Sequence, residues 1–346
     1  MTLDEEELRQ SARLVLGQCR SRDDLWADLK GLGWPALTAP DSAGGLEQPF
    51  AAAAWLHEEV GRALAPMELA GSLLAIEALR QCPISDARDR WMERIASGQP
   101  VLASLAGPAP VRGAAGASAG SLEAVTGAHG TRHALVVLET EQLFGVLDLD
   151  LAGVKLEAQD YWDETRILGR LELPTDCRAS IEVLAEADAA HAVRDAMDSH
   201  LHFALAADSI GLSLAFFENA VEFLKTRRQF GRPLAMFQAL KHRCADLAAE
   251  LTAAQALLAH EAATHPPGSS GSVEAARALK AFATRTAHHV AEEAMQFHGG
   301  VSMTVEYDCH RYLKRALLNA QLGARNEASD IRRAEGLLRS PMGRAG

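Results

Sequence analysis

The spacing of apolar residues changes period twice along this chain, and that double switch constrains the fold more than any single motif. Residues 1 to 100 have a helical texture, broken once by the Gly/Pro-rich stretch 32–45 (LGWPALTAPDSAGG). The run that follows, 50–80, is rich in Ala, Leu and Glu, which lose little side-chain freedom in a helix. From Val101 to Leu184, short apolar runs (ALVVLE, LFGVLDLDL, GVKLEAQ) sit between Gly and Asp turns, which is the punctuation of strands. Within this stretch 112–120 (RGAAGASAG) has almost no large side chain and reads as a flexible loop. From Ala185 the helical period returns. Leu240, Cys244, Leu247, Leu251, Ala254 and Leu258 form one apolar stripe, and Ala283, Ala287, Val290, Ala294 and Phe297 form another. The breaker HPPGSSGS at 265–272 separates them. With helical runs at 201–225 and 311–322, the last part fits a four-helix bundle. The expectation is an α+β chain: an N-terminal helical domain at 1–100, a small β domain at 101–186 and a four-helix bundle at 187–346.

Composition narrows the function classes. The 346 residues suffice for a sizeable core, and 48% of them are hydrophobic, which argues for a folded chain. A net charge of −12 would repel a polyphosphate, so no nucleic-acid partner is expected. No apolar run approaches the roughly 20 residues of a bilayer span, so no membrane partner is expected either. The start, MTLDEEELRQ, lacks the basic-then-apolar order of a secretory signal. Five scattered cysteines (Cys19, Cys82, Cys177, Cys244, Cys309) form no CxxC pair, and their odd number suits reduced thiols in a cytoplasm. Helix bundles can hold di-iron centres, but none of the 13 histidines has Glu three residues before it. His288 and His289 with Glu292 make a weak ligand set, so no metal is expected. No GxGxxG opens a βαβ unit.

Two segments carry the chemistry. The first is 227–238, RRQFGRPLAMFQ, followed by HRCAD at 242–246; the second is Gln296-Phe-His-Gly-Gly300, followed by Glu306 and Lys314-Arg-Ala316. Taken singly, Arg227-Arg228 reads as a solvated helix end, Gly299-Gly300 as a C-cap turn, and Phe230 and Phe237 as core. Taken together, they resemble the RxxFGxPLxxFQ, HxxAD and QxxGG signatures of the acyl-CoA dehydrogenase family. Two N-terminal segments add to the resemblance: 29–45 is similar to the family's LxxLGW…P…GG stretch and 58–65 (EEVGRALA) to its next helix. The resemblance covers nearly the whole chain in the right order.

It implies FAD as cofactor, an acyl-CoA substrate and an electron-transfer flavoprotein as electron acceptor. In the family the arginine and phenylalanine of RxxFG reach the FAD of a neighbouring subunit. By that likeness Arg227 would bind the pyrophosphate, for which a planar, permanently charged fork is well suited. Phe230, Leu234 and Phe237 would line the adenosine side, while Gln229, Gln296 and Gly300 would approach the same ADP portion. Glycine at 300 would let the backbone come close to the phosphates.

The likeness fails at the reacting centre. The family removes the substrate's α-proton with a glutamate, and the two positions where members carry it are Gly323 and Leu201 here. Neither can accept a proton. Asp208, two turns from Leu201, and Glu327 are the weak candidates for a relocated base. The family's Thr-Glu-Pro strand end corresponds to Ser104-Leu-Ala-Gly-Pro108, which puts Ala106 where a hydroxyl would meet the flavin, and the following GSD-like segment has become 112–120. The chain thus keeps what a subunit contributes to its neighbour and loses what it uses itself. This asymmetry is similar to the short partner subunits of bacterial heteromeric acyl-CoA dehydrogenases of steroid side-chain catabolism, whose C-terminal turn resembles 321–326. The first expectation is a FAD-dependent subunit that desaturates a bulky acyl-CoA jointly with a catalytic acyl-CoA dehydrogenase partner. The alternatives are a self-sufficient homo-oligomer with a relocated base, and a structural subunit without flavin.

Overall fold

The computed structural model describes residues 4–18, 21–107, 120–127, 130–138, 142–150, 154–174 and 177–323. The first stretch holds five helices: α1 (Glu5–Leu16), α2 (Arg22–Gly31), α3 (Phe50–Arg62), α4 (Glu68–Gln81) and α5 (Asp86–Ala96). Serines start two of them. The Ser21 and Ser85 hydroxyls accept from the N–H groups of Asp24 and Arg88, satisfying donors that have no partner within the helix. The Gly/Pro-rich break folds as two short 3₁₀ turns, Trp34–Ala36 and Asp41–Ala43.

The middle stretch forms two antiparallel sheets from β1 (Ala103–Ser104), β2 (Gly120–Thr126), β3 (His133–Leu138), β4 (Leu143–Asp148), β5 (Lys155–Gln159), β6 (Leu168–Leu173) and β7 (Ile181–Glu186). One sheet runs β1-β2-β6-β5 and the other β3-β4-β7. Of the expected flexible loop at 112–120, only Gly120 lies within the described residues, where it opens β2.

The last stretch comprises α6 (Ala187–Thr226), a hairpin of β8 (Arg228–Gln229) and β9 (Arg232–Pro233), α7 (Gln238–Thr264), α8 (Ser272–His298) and α9 (Cys309–Gln321). The 265–272 breaker does separate α7 from α8. Helix α6 begins at Ala187, well before the expected position 201, because β7 runs into it directly through Ala187 at φ 50°. It is long and apolar enough by composition to cross a bilayer, and most of its apolar stretch is buried against protein.

Helix α6 is the axis of the molecule: residues 196–213 are buried on every side, facing α3, α4 and α8. Two glycines allow its contact with α3. A Cβ on Gly211 would lie 1.8 Å from the Glu58 carbonyl oxygen, and one on Gly61 would lie 2.1 Å from that of Asp208. Only backbone fits at this crossing. Beside it, Arg9 and Arg13 of α1 reach across to the buried carboxylate of Glu59 on α3.

Candidate cofactor and catalytic site

Helix α6 delivers the first candidate segment. It ends at Thr226, Arg227 takes the C-cap position, and the chain then turns back through β8 and β9. The two turn residues, Phe230 (φ 52°) and Gly231 (φ 79°), both have positive φ, the pattern of a tight two-residue hairpin turn. A bulky L-residue in this region is an outlier, and here it points an aromatic ring outward: Phe230 is 88% exposed. The hairpin is held by Leu234 N–H donating to the Arg227 carbonyl at 2.9 Å and Arg228 Nη2 donating to the Gly231 carbonyl at 3.3 Å. The Arg232 guanidinium lies 4.0 Å over the Phe237 ring, and Phe237 meets Phe230 edge-on at 6.1 Å. Leu234 and Phe237 are half-buried, and Leu234 anchors the segment on the α6–α7–α8 core.

The second segment ends α8. Gly299, at φ 65°, caps the helix. Just before it, His298 stacks on Phe223 in the last turns of α6 at 4.6 Å, so the Gln296–Gly300 turn abuts the helix end from which the hairpin springs. Arg243 of α7 ties in the same end through Glu293 and the Phe297 ring. The structure therefore gathers all seven binding candidates at one end of the helical domain. Arg227, Gln229 and Gln296 are exposed and make no side-chain hydrogen bond among the described residues. A Cβ on Gly300 would meet nothing within 4 Å, so no packing inside this chain demands that glycine. A permanent cation, free amides, an outward aromatic ring and open backbone form a donor set that fits an ADP group approaching from outside.

The catalytic positions look different. Leu201 is buried in the apolar core. Gly323 is buried at φ 76°, and its N–H donates to the Leu105 carbonyl at 2.8 Å. A Cβ there would lie 3.1 Å from Leu205 Cδ1 and 3.3 Å from His202 Nε2. Ala106 presents a methyl group, its N–H taken up by Ser104 Oγ at 3.2 Å. Among the described residues, those on the flavin-ring side do not fit the group.

Asp208 must be withdrawn as a base. It is fully buried and accepts from Arg166 (2.8 Å), from Arg315 (3.1 and 2.5 Å) and from Asn319 (2.7 Å). Burial pushes its carboxyl up, but Arg315 and Arg166 outweigh that and hold it at about 2, so it takes up no proton near neutrality. Glu327 lies outside the described residues.

One group in this region escapes a reading of the sequence. His202 Nδ1 lies 2.7 Å from the Asp198 carbonyl, which fixes Nδ1 as the protonated nitrogen and leaves the Nε2 lone pair facing Gly323 with no hydrogen-bond partner among the described residues. Burial lowers its pKa, so the ring is neutral. Nothing in the run SHLHFALAAD marks it, because the sequence does not say which face of α6 meets the C-terminal turn. The weak metal set does not assemble. His288 pairs with Glu292 and His289 with Glu250, both on the surface, and no group of three ligands occurs among the described residues.

Comparison with known proteins decides the family. The N-terminal domain model of acyl-CoA dehydrogenases matches residues 4–99 and the C-terminal domain model matches 199–329. The acyl-CoA dehydrogenase IpdE2 of Mycobacterium tuberculosis is 33% identical over 317 residues, covering 90% of this chain and 86% of that protein. The chain belongs to the acyl-CoA dehydrogenase family. Solved structures share its fold. The ChsE4–ChsE5 complex of Mycobacterium tuberculosis gives a TM-score of 0.81 at 19% identity, covering 97% of this chain and 98% of that one. The Tcur3481–Tcur3483 steroid acyl-CoA dehydrogenase, as a G363A variant, gives 0.81 at 24% identity, covering 96% of this chain and 98% of that one. For an acyl-CoA dehydrogenase, the unusual feature of this chain is the contrast between an open candidate ADP end and a filled catalytic position.

Proposed function

We propose that this chain is a FAD-dependent acyl-CoA dehydrogenase subunit that completes the cofactor site of a longer partner and, with it, introduces the α,β-double bond into a bulky acyl-CoA. The observation that carries this reading is the contrast itself. Arg227, Gln229, Phe230, Gln296 and Gly300 face outward around an open end, whereas Gly323 and Ala106 are packed or capped from within. Relatives point the same way: two solved neighbours are described as two-component assemblies, one of them a steroid acyl-CoA dehydrogenase.

When bound, FAD supplies the acceptor for the substrate's β-hydride. This chain's residues bind and orient. Arg227 would hold the pyrophosphate by charge-assisted hydrogen bonds, and the exposed amides of Gln229 and Gln296 would add neutral ones. Phe230 supplies an apolar lid, its ring direction set by the backbone turn and not by a rotamer search. Removal of the α-proton falls to the partner, because this chain has no carboxylate at either family position. An electron-transfer flavoprotein would be the partner that reoxidises the cofactor.

The test is the flavin-to-chain ratio of the complex co-expressed with its candidate partner. The expected value is one FAD per two chains. Arg227→Ala removes a charge-assisted contact of ~1.5–3 kcal/mol, so retained flavin falls by about tenfold or more. Unchanged flavin in that variant removes the binding role. A homo-oligomer with one FAD per chain and full turnover defeats the partner reading.

A further inference from the structure

A position that has merely lost its base would be left as a vacant slot, and Gly323 is not one. Its N–H is taken up by the Leu105 carbonyl, and its backbone sits at φ 76°, where an L side chain is strained. The opposite wall of the joint is also glycine. Gly107 has φ 110°, and a Cβ there would come within 3.1 Å of the Gly323 carbonyl oxygen. The neighbours that a side chain at 323 would meet cannot readily move. Leu205 is fully buried, and the His202 ring is pinned through Nδ1 to the Asp198 carbonyl. Leu322, Leu201, Leu205 and Leu105 belong to one buried apolar cluster, so both family base positions lie in the same packed core.

The geometry points to a closed structural joint: the Leu322–Gly323 turn is locked between the end of β1 and the middle of α6, filling the place in this chain where a base and a thioester would meet. The site has been rebuilt as packing, so restoring the carboxylate does not restore an active site. This inference rests on the family placement of the base, and it deepens the reading above without depending on how flavin is held at Arg227. It also gives the two glycines a reason. A Cβ on Gly107 would press on the Gly323 carbonyl oxygen and one on Gly323 on Leu205 and His202, each at 3.1–3.3 Å, so either substitution needs its neighbours to shift by a few tenths of an ångström besides straining a positive-φ backbone.

Two measurements on the co-expressed complex test it. The first is hydrogen exchange of the peptide 318–323. A joint of this kind keeps the Gly323 amide about 100-fold or more slower than an unstructured chain; faster exchange overturns the proposal. The second is Gly323→Glu. The expected result is an unchanged flavin-to-chain ratio, no gain in acyl-CoA oxidation, and a melting temperature lowered by several degrees. A second flavin per pair of chains, or oxidation raised well above the unsubstituted complex, overturns it. If Gly323→Glu fails to assemble, the exchange measurement decides alone. A protected amide together with an Arg227→Ala variant that keeps its flavin would leave the joint standing and remove the cofactor role, so the two readings fail separately.

Discussion

Replacing Asp208 by asparagine separates a structural anion from a catalytic base. The substitution keeps the shape and removes the charge. Asp208 accepts four hydrogen bonds, three from the Arg166 and Arg315 guanidiniums and one from Asn319, and all these groups are buried. An amide has one oxygen to share among those donors, and its NH₂ would face guanidinium N–H groups. Among the described residues, Asp163 would then be the remaining buried carboxylate acting on these two buried cations. Removing one partner of a buried ion pair costs about 3–5 kcal/mol, because the other charge stays desolvated. For a chain of this size, at about 2.1 cal/mol/K of unfolding entropy per residue, that lowers the melting temperature by roughly 4–7 °C. The pH dependence has a definite sign. Asp208 is held at about 2, below its ordinary 3.8, so its stabilisation is present above pH 3.8 and lost as pH falls through 2. The gap between wild type and Asp208→Asn should therefore stay constant from pH 8 to about pH 4 and narrow only below that. Thermal melts followed by circular dichroism at several pH values, with oxidation assayed per folded complex, check both points. A variant with an unchanged melting temperature and no oxidation would refute the structural role and return Asp208 to catalysis.

Three further outcomes follow from the same geometry. Phe230→Gly relieves a left-handed L-residue at φ 52°, so the melting temperature of the unliganded protein should hold or rise slightly, by up to ~1 kcal/mol equivalent, while flavin retention falls; a loss of stability in parallel with flavin would count against the hairpin as a preformed binding element. Gly211→Ala places a methyl 1.8 Å from the Glu58 carbonyl oxygen, so α3 and α6 must separate at a cost of about 3 kcal/mol or more, read as a lower urea midpoint; an unchanged midpoint would refute a backbone-only crossing. His57, 3.3 Å from His200 in the core, is lowered by burial to about 4, so the unfolded chain binds the extra proton and stability present above pH 6.5 is lost as pH falls towards 4, by a few kcal/mol at most. The urea midpoint should drop between pH 7.5 and 5, and His57→Gln should flatten that drop; equal slopes in the two proteins would remove His57 as its source.

What could be read in the sequence was what is decided locally. The stripes on α7 and α8 follow from side chains three and four residues apart, so their period alone placed these helices. The region from Ala185 was read as helical, but the named run began only at 201 because Arg194, Asp195, Asp198 and His200 interrupt the apolar pattern. Asp198 is answered by Arg277 of α8, a partner the local sequence does not show. Asp208 was misread for the same reason: a carboxylate in an apolar run looks like a base or a surface group until its arginines, 42 and 107 residues away, are brought to it. Phe230 illustrates the converse. Its place in the motif was legible, but a phenylalanine between polar residues reads as core, and only the positive φ of two successive turn residues shows that the ring is held outward.

The same distinction explains why one half of the candidate site could be named residue by residue and the other could not. The outward half sits mostly on a single short segment whose shape is set by the end of α6 and a two-residue turn. The catalytic half is assembled from the end of β1, the middle of α6 and the turn after α9, which are far apart in sequence. That Gly323 stands where the resemblance puts the glutamate was visible as an identity. That its amide bonds to Leu105 and that Leu205 and His202 close over it are long-range facts. A chain can lose a catalytic residue in one substitution, but a packed joint of two glycines and an apolar cluster requires several positions to agree. That agreement favours the proposed reading, a subunit that completes its partner's site, over an enzyme that has mislaid its base.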